Sequence, residues 1–532
     1  MKRWNGWGRD EYHYHFAPSA KAFVENIVGK GEIIPDASLE SVTKKVSKSR
    51  LPQHPLFDHS PDVRVRRARG QSFPDWAAMR YGKVDTFPDA VASPTSQEDI
   101  ESILALAKKE KFNVIPYGGG TSVVGHINPE KGDTPTLTVD MCAYDQLLDL
   151  DEISHTATFG AGASGPQIED ALAAHGFKLG HYPQSHEFST LGGWIASRSV
   201  GTQCYYYGRI EHLFLGGSMH TPQGRLDMPS FSASAAGPDL RHFALGSEGR
   251  MGIISNATVR ISPLPEFEHF YAVFYPDWEH GFAALREMVQ ARLDVSMLRL
   301  LDKFETESTL QLSGKEKLVN FADSGLRLIG MGEKRCMMLF GITGLASIAC
   351  STLRQAHAIA RKHKGFLERS FIGKLWYKSR FTTPYLRNNL WECGYGLDTL
   401  ETVFPWSKVA EVKDKVEEAL FTGLEAENEK LIVFCHLSHM YTDGASLYVT
   451  YLFRRTTDAE ETLKRWKKLK TAASQVIVKH GGTISHQHGV GVDHRPYLPS
   501  EKGELGMESM RAFYEACDPN HIMNPGKLYK DR

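Results

Sequence analysis

Pro116-Tyr117-Gly118-Gly119-Gly120-Thr121-Ser122-Val123 follows the short apolar run Phe112-Asn113-Val114-Ile115. The run reads as a buried strand, and three successive glycines let the backbone turn sharply and aim several N–H groups at one anion. Such a loop cradles phosphate. It has neither the G-x-G-x-x-G spacing of a dinucleotide turn nor the Gly-Lys-Ser/Thr of a nucleotide-hydrolysing loop, so nicotinamide binding and nucleotide hydrolysis are not its natural reading. On loop chemistry alone, a glycine-rich turn without a ligand is an equal alternative. Two further stretches change the balance. Ser189-Thr190-Leu191-Gly192-Gly193-Trp194-Ile195-Ala196 and Gly246-Ser247-Glu248-Gly249-Arg250-Met251-Gly252-Ile253-Ile254 again set small residues where backbone passes close to something flat or charged. Three such loops in one segment point to one long ligand.

A chain of 532 residues is too long for a single core and implies two domains or more. Its formal net charge is only -1, which gives no general attraction to nucleic acid. No apolar run approaches the roughly 20 residues needed to span a bilayer. Met1-Lys2-Arg3-Trp4 does not read as a secretory signal, and Lys530-Asp531-Arg532 is not a peroxisomal address. The expected location is cytoplasmic, with peripheral membrane contact as a further expectation. Seven cysteines without C-x-x-C pairs fit reduced thiols rather than a disulfide framework or zinc site.

The organisation expected from the pattern is an N-terminal, partly helical extension over 1–83, a nucleotide domain over 84–264, a cap over 265–480 and a C-terminal segment over 481–532 that returns to the ligand. In the extension, Arg64, Arg66, Arg67 and Arg69 read by default as a solvated basic face. In the nucleotide domain, helical periods at 98–109 and 167–175 alternate with a strand at 136–140. The Tyr205-Tyr206-Tyr207 cluster packs either over the ligand or in a core. In the cap, strands at 270–274 and 337–342 alternate with helices at 278–291 and 347–362, the pattern of an antiparallel sheet with helices on one side. A basic helix at 461–470 reads as a solvated face, with docking to a membrane surface as the alternative.

Residues 432–450 read as two strands around Thr442-Asp443-Gly444, which places His436, His439 and Tyr441 near the strand ends. In Ser485-His486-Gln487-His488-Gly489-Val490-Gly491, an extended chain would put His486 and His488 on one face. Two imidazoles on one site can donate to an oxyanion, exchange protons near neutral pH or bind a metal.

The three loops together resemble the FAD-binding domain of the vanillyl-alcohol-oxidase superfamily. The phrase Pro88-Asp89-Ala90-Val91-Ala92-Ser93-Pro94-Thr95 and the last segment, Asp518-Pro519-Asn520-His521-Ile522-Met523-Asn524-Pro525-Gly526-Lys527, are also similar to that family. The implied fold is α+β: a two-subdomain, PCMH-type FAD-binding domain plus a cap with an antiparallel sheet flanked by helices. FAD would be held by Pro116, Tyr117, Gly118, Gly119, Gly120, Thr121 and Ser122, by Ser189, Thr190, Gly192 and Gly193, and by Gly246, Ser247, Glu248, Gly249, Gly252, Ile253 and Ile254. Covalent members place a histidine at the glycine loop, where this chain has Thr121-Ser122-Val123, so non-covalent FAD is expected.

Within the superfamily, Trp4-Asn5-Gly6-Trp7-Gly8, Glu187-Phe188-Ser189-Thr190, Leu298-Arg299-Leu300-Leu301-Asp302 and Pro384-Tyr385-Leu386-Arg387 resemble the alkyldihydroxyacetonephosphate synthase family, which makes the ether bond of ether lipids. The resemblance implies lipid substrates, no nucleic acid, a homodimer and no metal. It implies Tyr441 as catalytic tyrosine, Arg387 as substrate-binding arginine, Arg299 as a second active-site arginine, and His486 and His488 as two of three consecutive histidines. His436 and His439 are further substrate-binding candidates. The chain departs from the family at Gln487, where the middle histidine stands; strand alternation would point that side chain away from its neighbours. Tyr441 can move a proton at the substrate's C1 if a cation such as Arg299 lowers its pKa from about 10. The alternative function is an FAD-dependent dehydrogenase of a 2-hydroxy acid or polyol that passes electrons to a quinone or other carrier, in which His436, His439, His486 and His488 would be the set to hold a metal. Against it, Asp443-Gly444-Ala445-Ser446-Leu447 stands where such dehydrogenases carry a metal-binding His-Gly-Asn-x-His.

Overall fold

The computed structural model describes residues 2–312, 326, 330–368 and 371–531. The run before the glycine loop forms the strand Asn113–Tyr117, parallel to Thr136–Asp140, which is in turn parallel to Ala90–Ala92. Phe57–Asp58 closes this four-stranded sheet. Parallel strands of one sheet need a crossover, and helix Gln97–Glu110 supplies it between Ala90–Ala92 and Asn113–Tyr117, which flank Thr136–Asp140. Ser96 and Asp99 cap the helix reciprocally, and Ile100, Ile103, Leu104 and Ala107 bury its one apolar stripe.

A second, five-stranded antiparallel sheet runs in the order Leu147–Asp151, Thr156–Gly160, Ile253–Arg260, Phe214–Thr221, Gly224–Met228. It has its own core, with Phe159, Ile168, Leu172, Trp194 and Ile195. These two sheets carry the three glycine-bearing loops between them.

The cap is a seven-stranded antiparallel sheet in the order Phe366–Leu367, Phe267–Tyr275, Cys336–Gly344, Met297–Leu301, Ile432–Met440, Gly444–Arg454, Tyr395–Pro405. Side chains alternate across it. Leu298, Leu300, Val433, Cys435, Leu437, Leu447 and Val449 pack with helices Trp278–Gln290, Ala346–Lys362, Trp406–Phe421 and Ala459–Lys479. Fully burying each such Leu or Val stabilises by roughly 1.5–3 kcal/mol. The residues between them, Arg299, His436, Tyr448 and Thr450, fall on the other face and line a cavity. Helices therefore lie on both sides, not one: Phe371–Ser379 covers Phe270, Ala272 and Phe274 at one end of the open face.

The arginines over 64–69 are built in rather than solvated. Arg64 is buried and donates to the carbonyls of Pro88 at 2.6 Å and Ser47 at 2.8 Å. Arg66 pairs with Asp62, Arg67 with Asp140 and Arg69 with Asp85, at 2.9, 2.9 and 2.8 Å. Arg64, Arg67 and Arg69 fasten the N-terminal segment to the nucleotide domain, whereas the Arg66 pair stays within its own helix. In helix Ala459–Lys479 the basic residues Lys464, Lys467 and Lys468 are exposed, as a solvated face requires, while Trp466 and Lys470 turn inward to Asp398, at 2.7 and 3.5 Å. Tyr205 and Tyr207 pack away from the cavity, the Tyr205 hydroxyl on the Val289 carbonyl at 3.3 Å. Near the C-terminus, Val114 donates to Ile522 and accepts from Asn524, both at 2.8 Å, so the last segment lies along the strand that leads into the glycine loop. No helix among the described residues is long and apolar enough to cross a membrane.

Candidate active site

One cavity of about 490 Å³ runs from the three loops to the open face of the cap sheet. Residues 116–123 line it, with Ser189, Thr190, Gly192, Gly193, Ser247, Glu248, Gly249, Gly252, Ile253, Ile254 and Asn524; of the expected FAD residues only Gly246 does not. The glycines are required by close approach. A Cβ on Gly119 would stand 1.8 Å from the Phe188 carbonyl oxygen, and one on Gly118 2.3 Å from Thr190 Oγ1. The first two loops therefore pack in direct contact, with no room for a side chain at either glycine. The Ser247 hydroxyl is buried and has no partner, an unfilled polar contact of the kind a long polar ligand satisfies. Glu248 accepts from Val490 N at 2.6 Å and Gly491 N at 2.8 Å, and so ties the Gly-Val-Gly turn to the third loop. These features fit FAD. The nearest histidine, His126, also lines the cavity, with Nδ1 2.9 Å from Ser122 Oγ and Nε2 3.1 Å from Glu248 Oε1.

The cap contributes Arg299, Arg387, His436 and Tyr448 to the same cavity, and the C-terminal segment Gln487 and His488. Arg299 Nη2 donates to Glu305 at 2.7 Å, and the other Glu305 oxygen is 2.8 Å from His436 Nδ1. Burial acts to raise the Glu305 carboxyl, but His436 and Arg299 outweigh it and hold the group at about 2. Burial, and then Arg299, push His436 below the usual imidazole range. Arg387 differs from Arg299 in having no carboxylate. Its Nη1 donates to the Gln71 carbonyl at 2.6 Å and its guanidinium sits 4.2 Å above the Trp76 ring, while Nε and Nη2 are buried without partners. Burial pulls Arg387 down to about 10, still charged at neutral pH. A buried cation with unfilled donors fits an anion.

Tyr441 and His486 stand one row behind the cavity wall. They line neither the main cavity nor a side chamber of about 40 Å³ where His439 joins His436, Ser438 and Gln487. The Tyr441 hydroxyl is 2.5 Å from His486 Nε2. Burial pushes the phenol well above its ordinary range, and the cation that opposes this is Arg209, 5.6 Å from the ring, not Arg299 as expected. His439 Nδ1 meets Cys204 Sγ at 3.4 Å; burial and then His486 hold its imidazole well below the usual range and therefore neutral.

The expected strand through 485–488 is a bend. Glu401 Oε1 accepts from both Gln487 N at 2.6 Å and His488 N at 2.8 Å. Successive amides of an extended strand point in opposite directions and cannot converge on one oxygen. As a result Gln487 faces the cavity beside His488, and His486 is the residue turned behind it toward Tyr441. Glu401 is 0% exposed, and its oxygens lie 3.5 Å from His486 Nδ1 and 3.4 Å from His488 Nδ1. Burial acts to raise its carboxyl, but His488, His486 and the Gln487 amide outweigh it and hold the carboxyl far below the carboxylate range. The sequence reading missed Glu401, Glu305, Arg209 and Tyr448. An acidic residue within the β-rich run Tyr395–Pro405 is a signal that was available for Glu401. Among the described residues no group of three His, Cys, Asp or Glu side chains is arranged to hold a metal. The four cap histidines are instead divided among Glu305, Cys204, Tyr441 and Glu401.

Residues 88–227 match the family described as FAD binding domain, and residues 264–528 the family described as FAD linked oxidases, C-terminal domain. The alkyldihydroxyacetonephosphate synthase of Dictyostelium discoideum is 30% identical, over 88% of this chain and 77% of that protein. Its counterpart in Trypanosoma brucei brucei is 30% identical over 99% and 92%. A solved structure of an alkyldihydroxyacetonephosphate synthase covers 99% of both chains at 26% identity, with a TM-score of 0.86.

Proposed function

The chain belongs to the alkyldihydroxyacetonephosphate synthase family of FAD-dependent enzymes, and on that premise we propose that it exchanges the acyl group of an acyl-dihydroxyacetone phosphate for a fatty alcohol, forming the ether bond of alkyl-dihydroxyacetone phosphate. Bound FAD supplies the nucleophilic centre through which one substituent at C1 is replaced by another with no net change of oxidation state. The protein's part is to hold an anion, to move protons and to keep water out.

The observation that carries this reading is Arg387, a charged fork with two unfilled donors in the cavity that the glycine loop also lines. A planar guanidinium suits bidentate contact with the substrate phosphate or the departing carboxylate. Arg299, already neutralised by Glu305, positions rather than binds charge. His488 takes the proton of the incoming alcohol from the cavity wall. Tyr441, one row behind the cavity wall, is the base for the proton at C1 once substrate binding brings its hydroxyl to the cavity, with His486 to receive its hydroxyl proton. His436, on the main cavity, and His439, on the side chamber, serve as polar contacts for the substrate backbone.

Purified holoenzyme, given palmitoyl-dihydroxyacetone phosphate and hexadecanol without an electron acceptor, should release palmitate and hexadecyl-dihydroxyacetone phosphate in equal amounts. No ether product, together with acceptor-dependent oxidation of D-lactate or another 2-hydroxy acid, would overturn the proposal.

A further inference from the structure

Glu401 is the most enclosed charged group of the site, and nothing above gives it a chemical task. It lies on Tyr395–Pro405 at the edge of the cap sheet, on the same face as Thr399. Oε1 is saturated: it accepts two backbone amides and the Ser485 hydroxyl, at 2.6, 2.8 and 3.3 Å. Oε2 is not. It is buried without a hydrogen-bond partner, and so is His486 Nδ1, 3.5 Å away. An orphaned acceptor and an orphaned ring nitrogen that face each other inside the protein are each other's natural partner. The pairing requires Nδ1 to carry the proton, which leaves Nε2 with a lone pair aimed at the Tyr441 hydroxyl.

We propose that Glu401 is a positioning residue that fixes the tautomer of His486, making Nε2 the acceptor of the Tyr441 proton. This rests on the exchange reaction proposed above for its kinetic consequence, but not for the tautomer itself. The proton balance closes within three residues. The Tyr441 hydroxyl proton passes to His486 Nε2, the imidazolium so formed keeps its Nδ1–H toward the Glu401 carboxylate, and the phenolate oxygen receives the proton from C1. When the Tyr441 hydroxyl later returns its proton to C1, the phenolate so left takes back the proton held on His486 Nε2, and the resting state is restored. With the opposite tautomer, Nε2–H would face a hydroxyl that then has nowhere to send its proton. The bend at 485–488 serves the same end, because the Glu401 oxygen that gathers two successive amides turns His486 toward Tyr441 and leaves His488 at the cavity.

The test compares wild-type holoenzyme with Glu401→Gln and Glu401→Asp. Glutamine can still accept the two amides, but its NH2 group can donate to Nδ1 and so invert the ring. Nitrogen-15 spectra of histidine-labelled protein, assigned with His486→Gln, should show Nδ1 protonated and Nε2 free in the wild type, with the reverse in Glu401→Gln. In the exchange assay kcat should fall at least about 100-fold in Glu401→Gln with KM and FAD affinity unchanged, as expected when a catalytic imidazole is held in the wrong tautomer. Glu401→Asp should recover part of the rate. Protonated Nε2 in the wild type would overturn the proposal even if Glu401→Gln failed to fold, and so would an unchanged kcat in a folded Glu401→Gln. The spectrum needs no substrate, so a chain that does not form ethers leaves the tautomer to be decided separately.

Discussion

Arg387 carries a full charge on a guanidinium that is buried over Trp76 with two donors unused. Breaking such a cation away from an anion costs about 3–5 kcal/mol in a buried pair, and a protein that keeps one unpaired keeps it for a ligand. Arg387→Met should therefore raise KM for the phosphorylated substrate at least about 100-fold without lowering the melting temperature or the flavin content. A melting temperature that fell by several degrees, with KM unchanged, would make Arg387 a structural cation instead.

Asp302 is a second case in which burial decides. It accepts from Glu305 N at 2.6 Å and Cys435 N at 2.9 Å, yet burial and the Glu305 charge push its carboxyl up to about 7. An unfolded aspartate ionises near 3.9, so the folded protein holds a proton that the unfolded chain has lost across the window between those values. The resulting stability is fully present below about pH 4 and is lost as pH rises through about 7. Relative to wild type, Asp302→Asn should gain melting temperature between pH 5 and 7.5; a constant difference would contradict the shift.

Single residues also mark where the sequence stops being legible. Arg387 and Arg299 could be singled out because the family phrases around them stand in the chain. The pairing of Tyr441 with Arg209 could not, since the two come from separate loops and meet only after the cap docks.

Among the elements, the glycine loop is held by contact with the loop after Phe188 rather than by its own turn alone. Gly119→Ala would drive a methyl group into the Phe188 carbonyl, and the loops must then separate. The expected result is folded protein with FAD affinity at least about 100-fold weaker, equivalent to about 2.7 kcal/mol, read as flavin content after gel filtration. Retention of full flavin would show that the loops do not need this contact.

The strands and helices of the nucleotide domain follow from periodicity and caps: Ser96 with Asp99 starts the helix over 97–110, and Thr136–Asp140 forms as its apolar pattern predicts. The bend at 485–488 was not legible, because local pattern gives H-x-H the period of a strand. Its conformation is set by a carboxylate more than 80 residues earlier, which recruits two adjacent amides. The arginines at 64, 67 and 69 misled for a related reason: charge reads as solvent exposure until Asp85, Asp140 and the Pro88 carbonyl arrive as partners.

At the scale of the whole molecule, the cavity draws on residues from Trp7 to Asn524, so both ends of the chain and both larger units contribute to it. A cofactor held at such a junction stabilises everything that closes around it. FAD at about 100 times its Kd should add about 2.7 kcal/mol to the stability of the native state, visible as a higher melting temperature and slower proteolysis than in the apoprotein. Equal melting temperatures would mean that the loops do not close on the flavin. The central claim is redox-neutral exchange at this junction. Its most direct measurement is the flavin absorbance of the anaerobic holoenzyme during addition of palmitoyl-dihydroxyacetone phosphate and then hexadecanol. Bleaching by the acyl substrate and full recovery on addition of the alcohol, with no electron acceptor present, is the predicted result; bleaching by a 2-hydroxy acid that only a quinone or dye reverses would contradict it.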